Sequence, residues 1–87
     1  MIFIMLSKSK VKPAKESTSQ VTKMFSELKK KGINIIGSYW TLGRYDGVLI
    51  FEAPSEKDAM KLAIDMREVM TSETLIAIPR EEALKLL

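Results

Sequence analysis

The chemistry open to this chain is narrowed first by what its 87 residues lack: there is no cysteine and no histidine. A Ser-His-Asp triad, a Cys-His pair, a disulfide framework and the usual structural zinc sites are therefore excluded. Carboxylates, tyrosines, one tryptophan and the basic side chains remain. They are densest between Tyr39 and Asp46, in the run Tyr39-Trp40-Thr41-Leu42-Gly43-Arg44-Tyr45-Asp46. As a ligand site, this run would offer Tyr39 and Trp40 as an aromatic wall with Tyr45 beside them. Arg44 would anchor a carboxylate or phosphate, and Asp46 would serve as a base or hydrogen-bond acceptor. The same residues also fit a purely architectural role. Gly43 would then permit a turn, Tyr45 would pack across a strand pair, and Asp46 would bond turn amides or pair with Arg44. Glu52 is a lone strand carboxylate, a type usually found at an edge or an interface, and Asn34 is weaker still. No metal and no cofactor is expected at these positions.

The elements that must position this segment follow from periodicity and punctuation. Residues 2–6 are apolar without a break, the pattern of a strand buried on both faces. Residues 7–16 form a polar connection with four lysines and Pro13. Ser17-Thr18-Ser19-Gln20 fits a capping box, and Val21, Met24, Phe25 and Leu28 then make one helical stripe. Lys29-Lys30-Lys31 suit the negative end of the helix dipole, and Gly32 supplies the left-handed stop. Residues 33–42 read as a strand whose alternation slips at Ile35-Ile36 before Gly37, which suggests a bulge. Gly43-Arg44 is the expected tight turn, and residues 45–53 the returning strand. Pro54-Ser55 opens a second helix with Ser55 as N-cap and Ala59, Leu62, Ala63 and Met66 as its stripe. A last strand over 71–78 ends at Pro79, and residues 80–87 read as a short terminal helix. The order is β-α-β-β-α-β, one α+β domain over residues 1–87. The six methionines are expected to be adaptable core filling.

A count of faces extends this to assembly. Residues 2–6 and 48–51 are apolar at odd and even positions alike, and these point to opposite sides of a sheet. Two helices cover one side of four strands, which leaves the other apolar side for a second copy of the chain. A fold-back of the C-terminal segment, or wetting by Glu52 and Glu73, is the alternative. The apolar start is too short for a signal peptide or a membrane span, so no membrane association and a cytoplasmic location are expected. Charge is uneven: residues 1–32 carry eight lysines against Glu16 and Glu27, whereas the remainder is net acidic. That asymmetry fits a solvated lysine-rich face or, alternatively, a nucleic-acid surface.

The stretch around Gly43-Arg44-Tyr45-Asp46 resembles the signature of the GYD-domain family, and the likeness continues through Phe51-Glu52-Ala53-Pro54 and Ser72-Glu73-Thr74-Leu75. The lysine-rich loop 8–16 departs from the family pattern. The resemblance implies a ferredoxin-like fold of the dimeric α+β barrel type: a four-stranded antiparallel sheet, two helices on one face and a short C-terminal helix. It implies no particular activity, because fold relatives include cofactor-free monooxygenases, haem-degrading proteins and amino-acid-sensing regulators. Three functions therefore stand in order: a small-molecule binding or sensing module, a cofactor-independent enzyme on a small hydrophobic substrate, and nucleic-acid binding through residues 8–31. The ligand-binding candidates are Tyr39, Trp40, Arg44, Tyr45 and Asp46.

Overall fold

The computed structural model describes residues 1–12 and 15–87, together with all of their side chains except those of 15–18. The elements run β1 (Ile2–Ser9), α1 (Lys15–Lys30), β2 (Asn34–Trp40), β3 (Gly47–Glu52), α2 (Glu56–Met66), β4 (Met70–Ala77) and α3 (Arg80–Leu84). The four strands form one antiparallel sheet in the order β2-β3-β1-β4. This is the expected ferredoxin-like α+β arrangement, with the two βα units interleaved.

Alternation divides the sheet into two faces. Phe3, Met5, Leu49 and Phe51 are buried on the face that the helices cover. Phe3 stands directly opposite Phe51 in the ladder, and their rings stack with centroids 5.4 Å apart. Leu28 of α1 and Ala59, Leu62 and Met66 of α2 close over them. The α1 stop is a Schellman motif: Gly32 has φ 85°, its amide donates to the Lys29 carbonyl, and the Ile33 amide donates to Leu28. Ile33 and Leu28 are both buried, so the backbone signal and the apolar contact that usually accompanies it coincide. The bulge is also present, with the ladder shifting between Ile35 and Gly37.

Several boundaries differ from expectation, each for a local reason. β1 runs three residues past the apolar segment, because Ser7, Lys8 and Ser9 continue to pair with β4. α1 begins at Lys15, so Ser17 lies inside the helix rather than at its N-cap. The side-chain bonds expected of Ser17, and Pro13 itself, lie outside the described residues. Ser55 does occupy the α2 N-cap, yet its hydroxyl bonds the Asp58 carboxylate at 2.8 Å instead of a backbone amide. The tight turn at Gly43-Arg44 is in fact a six-residue connection, 41–46, between β2 and β3. Glu52 lies on an interior strand, exposed on the sheet face opposite the helices. Met5, Met24, Met66 and Met70 belong to or pack on the core, but Met1 and Met60 are exposed. No helix among the described residues is long and apolar enough to cross a membrane.

Among the described residues, one buried side-chain polar atom goes unpaired. The Thr74 hydroxyl, beside Met5 on the helix face, is buried without a hydrogen-bond partner. Such a group costs about 1–3 kcal/mol in desolvation. Thr74→Val, which keeps the shape and removes the hydroxyl, is expected to raise stability by about 1 kcal/mol in urea unfolding, with an unchanged m-value.

Candidate functional site

The helix-facing floor of the sheet is not uniform. At one end, Ile35, Phe51, Phe3 and Ile76 lie side by side across the four strands. Two rows further on, the corresponding residues are Trp40, Gly47, Ser7 and Ser72. Bulk therefore falls away toward the β2–β3 connection. Helix α1 follows the same gradient: Leu28 near its C-terminus is buried, Val21, Met24 and Phe25 are half-buried, and Gln20 is exposed. Where the floor is small and the helix lies less deeply, a cavity of about 550 Å³ opens. Met5, Leu49, Phe25, Leu62 and Met66 form its inner wall, while Trp40, Thr41, Ser9 and Asp46 lie on its polar side. The volume falls within the roughly 300–1,000 Å³ usual for small-molecule pockets.

The 41–46 connection frames this opening, and its hydrogen bonds explain its composition. The Thr41 amide donates to the Asp46 carbonyl at 2.9 Å, and the Thr41 hydroxyl donates to the Tyr45 carbonyl at 2.6 Å. Gly43 has φ 105°, a backbone state that favours glycine. The Asp46 amide donates to the Ser7 carbonyl, and the Asp46 carboxylate accepts the Ser9 amide at 2.7 Å. Asp46 thus ties the connection to the overhanging end of β1. The next residue, Lys10, donates its amide to Val69 and its ammonium to the Arg67 carbonyl at 2.7 Å, at the end of α2. A chain of bonds therefore runs from the β2–β3 connection through β1 to α2.

The five candidate residues do not form one site. Trp40 lines the cavity and is 77% exposed. Tyr39 turns to the opposite face, where its ring covers Gly37 so closely that a Cβ there would lie 2.8 Å from it. The expected aromatic wall of Tyr39 with Trp40 is therefore not built, because consecutive strand residues point to opposite sides. Tyr45 donates its hydroxyl to the Glu73 carboxylate at 2.8 Å, and the Arg44 guanidinium lies 5.4 Å from the Tyr45 ring centre. These two border a separate small recess with Lys8 and Thr71. Arg44 pairs with the ring rather than with Asp46. Of the five, Tyr39, Trp40 and Asp46 line the large cavity, Tyr39 with its ring turned to the other face, and Asp46 already holds a backbone amide.

Sequence reasoning missed the floor residues Ser7, Ser38 and Gly47 and the helix residues Met24 and Phe25 as cavity lining. The signal was there: small residues replace bulky ones toward one end of three adjacent strands. It becomes visible only when the register is known. Among the described residues, no three carboxylates converge where a metal ion could sit.

Topology and site together define a ferredoxin-like α+β protein with an apolar cavity between helices and sheet, framed by a glycine-containing connection. The GYD-domain family model matches residues 1–87, and the chain belongs to that family. No curated protein and no solved structure matches the chain.

If Asp46 works as a clamp, hydrogen exchange at the Ser9 amide reports it. Asp46→Ala is expected to accelerate that exchange by at least tenfold, and Asp46→Asn, which keeps an acceptor oxygen, to leave it near wild type. Equal exchange in all three proteins would contradict the clamp.

Proposed function

We propose that this chain is a homo-oligomeric small-molecule binding module whose ligand, a predominantly apolar molecule, occupies the cavity between α1, α2 and the sheet. The observation that carries this reading is the 550 Å³ opening above the small residues Ser7, Ser38 and Gly47. Its walls are apolar, and its polar groups gather on one side, as in sites that use burial for affinity and a few hydrogen bonds for orientation. An enzymatic reading finds less support. Glu52 is exposed on the far face, and Asp46 is engaged with Ser9.

Self-association is supported by the face that the helices leave open. Ile4 lies between Ile50 and Leu75, and Leu6 between Val48 and Glu73, so apolar side chains cross the middle of that face. Fully burying such a side chain is worth about 1.5–3 kcal/mol; most of these are already half-buried, which leaves roughly 1 kcal/mol each to be gained. Summed over two copies, this reaches the order of 10 kcal/mol, comparable with the roughly 4–15 kcal/mol lost in association. Pairing of the bare sheets is thus close to balanced.

Trp40 is the sole tryptophan and provides the readout. Titration with anilinonaphthalene sulfonate is expected to give saturable energy transfer from Trp40. Ser7→Leu, which fills the cavity floor, is expected to weaken binding at least tenfold while leaving the circular dichroism unchanged. Absence of saturable binding, or a Ser7→Leu protein that binds as well as wild type, would count against the cavity as the site.

A further inference from the structure

Residues 78–87 bury none of their side chains in their own domain's core. From Ile78 to Leu87 every residue is exposed, including Ile78 at 57%, Leu84 at 44%, Leu86 at 79% and Leu87 at 101%. They are nevertheless built as a regular element. Pro79 redirects the chain out of β4, Glu81 and Glu82 occupy the first turn of α3, and its backbone bonds continue through Leu86 and Leu87. Leu84 and Leu87, three residues apart in a tight final turn, share one side. A helix of this length does not stand by itself in water, since isolated helices below about 12–15 residues are marginal. The segment also stretches the molecule. The radius of gyration is 13.6 Å, against about 12 Å for a compact chain of this length.

We infer that residues 78–87 are an exchanged arm, which docks its leucine side onto a second copy of this chain. The inference rests on the self-association proposed above, and area argues for a second copy as the occupant. With strands about 4.8 Å apart and a rise of about 3.4 Å per residue, the open face offers a contact of roughly 450 Å². Stable interfaces bury about 800 Å² on each partner. The sheet face alone falls well short. An arm with two extended residues and eight helical ones is about 19 Å long and about 10 Å wide. In a two-fold pair each copy buries its sheet face, part of it under the received arm, and one side of its own arm, which brings the contact to roughly 640 Å², inside the range of about 600–1,000 Å² per partner. That arm length also equals the width of four strands, so it can cross a partner's sheet from edge to edge. Ile36 and Tyr39, exposed on the edge strand β2, are apolar surface for it to cover.

The chain has no cysteine, so Leu86→Cys creates a unique attachment point for a benzophenone maleimide. Equal amounts of ¹⁴N- and ¹⁵N-labelled protein are mixed, irradiated, digested and read by mass spectrometry. The expected result is arm peptides joined to sheet peptides of the other isotope. In the full-length Leu84→Asp/Leu87→Asp variant, the dimer dissociation constant is expected to rise at least tenfold with the domain's circular dichroism unchanged. Cross-links confined to single chains, or a dissociation constant unchanged in the variant, overturn the arm while leaving sheet pairing in place. A wild-type chain that stays monomeric at every concentration overturns both.

Discussion

Everything in this small fold depends on the two inner strands being apolar on both sides. Phe3 and Phe51 stack beneath the helices, and one residue along each strand Ile4 and Ile50 face the other way at the same depth in the sheet. A sheet built around such a pair has no face that belongs in water. The chain supplies two long helices, enough to cover one side. The opposite side is left open, and the C-terminal segment, with Ile78, Leu84, Leu86 and Leu87, is a further exposed apolar element.

On the covered side, packing is graded, and the gradient is what opens the cavity. Phenylalanine and isoleucine fill the space at the end where α1 stops in its Schellman motif. At the other end, serine and glycine leave the floor low, and α1 is less deeply buried. A void there would be costly in an ordinary core, because its lining forgoes dispersion contacts. Here the void opens beside a connection held by bonds from Thr41, Tyr45 and Asp46 to β1, and from β1 through Lys10 to α2. The family signature is thus spent largely on building the frame: Gly43 gives the turn its backbone, Tyr45 reaches Glu73 on the outer strand, and Asp46 anchors β1.

Much of the architecture was legible in the residues themselves. The Val21-Met24-Phe25-Leu28 stripe, the Gly32 stop, the slip before Gly37 and the doubly apolar inner strands are all local patterns with direct physical meaning. What could not be read was whatever depends on register. Tyr39 and Trp40 are adjacent in sequence and were expected to act together, but strand alternation separates them across the sheet. Ser7, Ser38 and Gly47 look like unremarkable polar or small residues until the ladder sets them side by side. The extension of β1 to Ser9 escaped notice for a related reason: its pairing comes from β4 and its anchor from Asp46, 37 residues away. Arg44, read as an anion anchor, lies over the neighbouring Tyr45 ring at the smaller recess, away from the large cavity.

The most direct test of the account is the native mass in solution, measured by light scattering at micromolar concentration and at two salt levels. A sheet whose open face is covered by a second copy predicts a mass of twice 9.8 kDa or a multiple of it. Because the contact is apolar, that mass should hold at high salt. A stable species of 9.8 kDa would contradict the central claim, since the row through Ile50, Ile4 and Leu75 would then stand in water uncovered.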